Sequence, residues 1–360
     1  MKVTTHPYLT KIENYVPGKA AIDGKKAVKL SSNENALGAS PLAVEAYKKH
    51  ASELFRYADG SCTLLREKLA EKNKIDASRI VCGAGSDEII AFLASAFAGI
   101  GDEIIYSEHG FLMYPISAKR VGARAVKVKE ENLRADVDAI IAATTPKTKI
   151  IFIANPNNPT GSYLNCGEIE KLINNTPKNV LIVLDHAYEE FVTAADYPNA
   201  IKLVSQNENV VVTRTFSKIY GLASLRIGWC YSSSYIAEIL NKVRGPFNVG
   251  GPAQVAATAA LDDEEFLLRS KNHNKKWLEI LFRELSDDEF ADKKIIAHPS
   301  VGNFILLDFV SVENCKTFNQ KFLQNGIVLR EMGGYGLPHC LRATIGTEEN
   351  NLQLLEILKN

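Results

Sequence analysis

The run Val210-Val211-Val212-Thr213-Arg214-Thr215-Phe216-Ser217-Lys218, continuing through Gly221 to Arg226, constrains this chain more than any other stretch. Three successive valines read as a strand buried on both faces, as in a parallel sheet covered by helices. The apolar run ends in the hydroxyls of Thr215 and Ser217 and the amine of Lys218. A lysine at the mouth of a hydrophobic strand is costly to bury without a partner or a covalent task. The neighbouring hydroxyls, with Arg226 further on, suit a bound phosphate. An amine beside a phosphate site points to pyridoxal phosphate held covalently. A plainer reading, a surface lysine just past a strand end, stands first on this spacing alone, so the rest of the chain has to decide.

From about residue 45 to 235, short apolar runs alternate with longer amphipathic segments. Strands are expected at 80–82, 103–106, 125–128, 149–154, 180–184, 210–215 and 227–231. Apolar residues three and four apart predict helices over 87–98, 111–121, 166–174 and 200–205. The pattern predicts an α/β fold: a mainly parallel seven-stranded sheet flanked by helices, with ligands at the carboxyl ends of the strands. After about residue 240 the character changes. A long helical stretch over 253–285, strands within 300–310 and 326–329, and a C-terminal helix read as a smaller α+β domain. The expected partition is 45–240 for the large domain, with 1–44 and 241–360 forming the small one.

At 360 residues the chain has room for both domains, and its 42 basic residues balance 42 acidic ones. That balance argues against nucleic acid and anionic membranes as partners. The six cysteines are scattered without a C-x-x-C pair or a neighbouring His cluster, so reduced thiols are expected and a metal is not. The first ten residues lack the order of a signal peptide, and the longest apolar stretch, 89–100, is too short to span a bilayer. A cytoplasmic protein is expected.

Further polar clusters fall just after the expected strands. Gly83-Ala84-Gly85-Ser86-Asp87-Glu88 precedes a helix, and its exposed N–H groups with the helix dipole make an anion site. Ser86 alone is equally an N-cap. Glu88 stands where a dinucleotide loop needs glycine, so nicotinamide binding loses ground. Asn155-Pro156-Asn157-Asn158-Pro159-Thr160-Gly161 exceeds what a turn requires, and Asn157 offers an amide donor to a cofactor's ring oxygen. Asp185, at a strand end, suits a pyridinium N–H, with Tyr188 placed near the same ring oxygen as Asn157. The glycine loop, Phe111, Asn157, Asp185, Lys218 and Arg226 succeed one another on strand ends of one sheet. Their joint order outweighs the plainer reading of each.

On these residues the chain resembles the fold-type I pyridoxal-phosphate aminotransferases, and among them the histidinol-phosphate aminotransferases. The resemblance also rests on Ser32-Asn33-Glu34-Asn35, on Arg56-Tyr57 before Asp59-Gly60-Ser61, on Arg226-Ile227-Gly228, and on Arg330, Gly334–Pro338 and Leu341-Arg342. It implies a transamination between L-histidinol phosphate with 2-oxoglutarate and imidazole-acetol phosphate with L-glutamate. Lys218 would be the covalent anchor and proton carrier, Asp185 the partner of the pyridine nitrogen, Asn157 and Tyr188 contacts to the ring oxygen, and Phe111 a stacking partner. Gly85, Ser86, Asp87, Thr215, Ser217 and Arg226 would hold the cofactor phosphate. Tyr57 would reach the phosphate of a neighbouring subunit, implying a homodimer. Arg342 would anchor the substrate anion, bidentately, with Tyr15, Asn35, Arg330 and Tyr335 nearby. His186 and Cys62 depart from the family pattern, and His186 is expected to alter polarity near the ring. The same resemblance leaves open an aromatic amino-acid aminotransferase and a pyridoxal-phosphate decarboxylase acting on an amino phosphate.

Overall fold

The computed structural model describes residues 3–13, 21–22 and 25–360; Tyr15 therefore lies outside the described residues. Seven strands form the large sheet: β1 (Ile80–Gly83), β2 (Glu103–Ser107), β3 (Arg124–Val128), β4 (Thr148–Ala154), β5 (Leu181–Asp185), β6 (Val210–Thr215) and β7 (Gly228–Tyr231). Their spatial order is β1-β7-β6-β5-β4-β2-β3. Every neighbouring pair is parallel except those made by β7, which runs antiparallel to both β6 and β1.

The central strands are apolar runs because both faces are covered. Ile151, Ile153, Ile182, Leu184, Val210 and Val212 point into one hydrophobic cluster; Ile150, Phe152, Leu181, Val183 and Val211 point into another on the opposite face. Each such side chain contributes about 1.5–3 kcal/mol on burial. That doubled burial explains why these strands are the most legible part of the chain.

β7 has a consequence for the site. Because it is reversed, it starts at the edge where the other six strands end. The register places Gly228 beside both Thr215 and Gly83. Arg226, which precedes β7, thus joins the loops that follow β1 and β6.

The small domain holds a four-stranded antiparallel sheet in the order β8-β9-β11-β10, with β8 at Ile296–His298, β9 at Phe304–Asp308, β10 at Arg330–Glu331 and β11 at Cys340–Thr344. Its core gathers Trp277, Leu281, Ile305, Leu307, Phe322 and Leu358. The N-terminal segment joins this side through a parallel pairing of Val28–Lys29 with Ile327–Val328.

Two expectations need correction. The stretch anticipated as one helix over 253–285 is two, Gly251–Ala260 and Glu264–Glu284, because Asp263 caps the second by accepting from Phe266 N–H at 3.2 Å. In addition, Val249, Ala253, Ala256, Ala257 and Leu261 pack into the large-domain core together with Ala43. The boundary expected after residue 240 therefore falls inside that core.

Candidate active site

A cavity of about 480 Å³ lies at the carboxyl edge of the large sheet, between it and the small domain. Lys218 enters it from the turn after β6 and donates to the Ser32 carbonyl at 3.1 Å. Burial, then the nearby Arg342 charge, lowers its amine to about 7. A lysine that is part neutral at neutral pH is a nucleophile and a proton carrier.

Asp185 ends β5 on the cavity floor. Its carboxylate accepts from Tyr114 Oη at 2.9 Å and from Thr213 Oγ1 at 3.1 Å. Thr213 reaches it because the two residues are register partners on adjacent strands. Burial raises the carboxyl, and these two donors oppose the rise. A buried carboxylate facing open volume is suited to a cationic ring nitrogen.

Tyr188 lies one turn beyond, its hydroxyl accepting from Asn33 Nδ2 at 2.9 Å. Burial pushes its phenol up to about 12, so it stays a donor. Asn33 is itself held by Thr344, whose Oγ1 accepts from its backbone N–H at 2.9 Å. Lys218 Nζ stands 5.6 Å from the centre of the Tyr188 ring. Phe111 lines the wall, its ring edge-on to Tyr114 at 5.8 Å.

The phosphate side is built from backbone and hydroxyls. Gly85 caps the helix Ser86–Phe97 with φ +92°, a conformation that favours glycine. A Cβ there would come 2.3 Å from Asp87 Oδ1 and 2.4 Å from an Arg226 nitrogen, and one at Gly228 would come 2.6 Å from Ser86 N. The two missing side chains leave a cradle over the helix N-terminus. Ser217 and Arg226 complete it, the guanidinium donating to Ser217 Oγ at 3.3 Å and pairing with Asp87 at 2.7 Å. Thr215 lines the same end, its Oγ1 accepting from the Ser217 N–H at 3.1 Å. Glu88 turns away, accepting from Ala84 N–H at 2.6 Å and Asn248 at 2.8 Å.

On the opposite wall, Arg342 is buried on β11. It donates to Asn158 Oδ1 and, at 2.9 Å, to the Ser31 carbonyl, and its guanidinium lies 5.3 Å over the Phe304 ring. Arg330 and Tyr335 line the cavity beside it.

Two residues expected in the site, Asn157 and Asn35, are elsewhere. Asn158, not Asn157, faces the cavity; Asn157 donates to Thr160 Oγ1 at 3.0 Å and to Glu130 at 3.4 Å. Asn35 ties the N-terminal loop down, donating to the Ile219 carbonyl at 2.6 Å and Ser270 at 3.0 Å. Tyr57 is 86% exposed, stacks on Phe247, and does not line the cavity of its own chain. His186 also points away: its Nδ1 meets Glu189 at 2.9 Å, behind the sheet edge. Sequence reasoning missed Tyr114, Thr213 and the side-chain roles of Asn33 and Asn158. Tyr114 was detectable only as a core aromatic on the predicted helix after Phe111.

The residues fit pyridoxal 5′-phosphate on their own chemistry: an anion cradle that Cβ atoms would fill, a buried carboxylate on the floor, and a part-neutral, half-buried amine. Comparison with known proteins agrees. The family model "Aminotransferase class I and II" matches residues 25–358. The histidinol-phosphate aminotransferase of Paramagnetospirillum magneticum is 49% identical over 98% of this chain and 97% of its own. That of Rhodopseudomonas palustris is 46% identical over 98% and 97%. The crystal structure of histidinol-phosphate aminotransferase from Sinorhizobium meliloti, in complex with pyridoxal-5′-phosphate, superposes with a TM-score of 0.90 at 25% identity, covering 100% of this chain and 97% of that one. A Thermus thermophilus aspartate aminotransferase mutant shares the fold at a TM-score of 0.85 and 18% identity, covering 99% of each chain. The chain belongs to the class I and II aminotransferases, a pyridoxal-phosphate family, on the histidinol-phosphate aminotransferase side of it.

Proposed function

We propose that this cavity moves an amino group from L-glutamate to imidazole-acetol phosphate, yielding 2-oxoglutarate and L-histidinol phosphate, as a step of histidine biosynthesis. The observation that carries the reading is the half-buried Lys218 amine set between two anion sites, the Ser86–Ser217–Arg226 cradle and Arg342. One site suits the cofactor phosphate, and the other suits the substrate anion. The relatives that carry this activity in their names align over nearly their whole length.

When bound, pyridoxal 5′-phosphate supplies an electron sink that acidifies the substrate Cα proton. Lys218 would hold it covalently, Asp185 would pair with its ring nitrogen, Asn158 and Tyr188 would donate to its ring oxygen, and Phe111 would stack on the ring. Once displaced by the incoming substrate amine, Lys218 Nζ would take the proton from the Cα of glutamate and, in the second half-reaction, deliver a proton to the Cα of histidinol phosphate, a task matched to an amine near 7. Arg342, preset by Asn158 and the Ser31 carbonyl, grips in turn a carboxylate of glutamate and the phosphate of the other substrate. Arg330 and Tyr335 are the further donors that a phosphate requires.

A homodimer is part of the proposal. Tyr57 is exposed beside Phe55, Leu54 and Phe247, a surface apolar enough to be covered by a second copy. From there it would complete the phosphate site of the partner. The six cysteines, all unpaired, fit a reducing cytoplasmic compartment. Among the described residues, no helix is long and apolar enough to cross a membrane.

The test is hydride reduction of the purified protein followed by peptide mass spectrometry, with an adduct expected at Lys218. Turnover of histidinol phosphate should vanish in Lys218→Ala. An adduct elsewhere, or a kcat/KM for phenylalanine or tyrosine above that for histidinol phosphate, would overturn the site or the substrate respectively.

A further inference from the structure

A second group of ligating side chains sits on the small-domain sheet. Asp308 ends β9, and Cys340 begins β11 directly across from it, with His339 immediately before. One ligating atom from each of these three lies within 4.8 Å of the others. His298, at the end of β8, pairs with Leu306 and so shares a sheet face with Asp308. The Nε2 atoms of His298 and His339 each stand 3.7 Å from Asp308 Oδ2.

An ordinary hydrogen-bonded ion pair does not account for this spacing. At 3.7 Å neither imidazole is within hydrogen-bond length, and His298 Nε2 is buried without a hydrogen-bond partner. A tetrahedral zinc-type centre has bonds of about 2.0–2.3 Å, which puts neighbouring ligand atoms roughly 3.3–3.8 Å apart. The carboxylate is also preset: Oδ1 accepts from the Val310 N–H at 2.7 Å, which leaves Oδ2 toward the two rings. Cys340 is 1% exposed and brings its sulfur in from the interior.

We propose that Asp308, His339 and Cys340 bind a divalent cation of the zinc class, with His298 completing the set by rotation of its ring. The donor mixture of one sulfur, one carboxylate oxygen and imidazole nitrogen favours zinc over magnesium or calcium. Carboxylate and thiolate together balance its two charges. Formation of the metal–sulfur bond breaks the S–H bond, and the proton leaves to solvent. The ligands come from three strands, so the cation would tie the segment carrying Tyr335 to the sheet that carries Arg342.

The holoenzyme, freed of metal by a chelator, is titrated with Co²⁺ and then Zn²⁺. One equivalent of Co²⁺ should give tetrahedral d–d bands and a thiolate-to-cobalt charge-transfer band, both removed by Zn²⁺. Cys340→Ser should abolish the charge-transfer band, and Cys166→Ala should leave it. His339→Gln, at a partly exposed position, should weaken Zn²⁺ binding by about 100-fold or more while the circular dichroism stays unchanged; it keeps the test decisive if Cys340→Ser does not fold. Absence of a saturable band, its persistence in Cys340→Ser, or unchanged Zn²⁺ affinity in His339→Gln would each overturn the assignment.

Discussion

Replacing Tyr114 by Phe removes one oxygen from beneath the cavity and little else. The ring keeps its stack on Phe152 at 4.8 Å and its edge contact with Phe111 at 5.8 Å. What disappears is the hydroxyl that donates to Asp185 at 2.9 Å, leaving, among the described residues, only Thr213 as a side-chain donor at 3.1 Å. A hydrogen bond to a charged group contributes about 1.5–3 kcal/mol. One pKa unit corresponds to about 1.36 kcal/mol, so the carboxyl should rise by about 1–2 units. Burial has already raised it, and each further unit widens the acidic range in which it is protonated and cannot pair with a cationic ring nitrogen. The acid limb of the pH profile of kcat/KM should therefore move up by about 1–2 pH units. Alkaline behaviour should be unchanged. The assay is steady-state transamination across pH, with cofactor content measured on the same samples. A limb that stays in place while activity falls at every pH would mean that Tyr114 acts through packing alone, and the reasoning would fail.

The amine of Lys218 is about 7 in the folded chain against 10.5 when free, so between those values only the unfolded chain holds the extra proton. Cofactor-free protein should then gain stability as pH rises from about 7 and lose that gain below it; denaturant unfolding of wild type and Lys218→Met at several pH values checks this, and an identical pH dependence would refute it. Gly228→Ala should destabilise by about 1–3 kcal/mol, because its Cβ meets the backbone atoms Ser86 N at 2.6 Å and Arg214 O at 2.8 Å and neither can swing aside; an unchanged urea midpoint would argue against that close approach. Asn158→Ala should raise KM for both substrates by about 10-fold or more through loss of a charge-assisted contact to Arg342, with Asn157→Ala affecting KM less; the reverse order would restore the reading from sequence.

The large sheet is legible in sequence because covered faces demand unbroken apolar runs, and 210–215 was located to the residue. The site was legible where chemistry sits at a strand end: Asp185, Lys218 and the glycine loop needed no contact map. Loops carry no period, so nothing in Asn157-Asn158 says which amide turns inward, and Asn35 differs from Asn33 only in what lies across from it. Tyr114 and Thr213 read as core residues because they are core residues; their polar atoms matter only through Asp185. The segment Cys340–Thr344, which places Arg342, is short and mixes polar with apolar residues, so neither periodicity nor length marks it as a strand.

Arg342 is spoken for from two directions: the Ser31 carbonyl of the leading segment and the Asn158 amide of the loop after β4. Its guanidinium is thus a keystone at which the beginning, middle and end of the polypeptide meet. The cofactor cradle needs none of the leading segment, whereas the aim of this guanidinium does. A chain trimmed back past Ser31 should keep its vitamin and lose its grip on the molecules it is meant to convert.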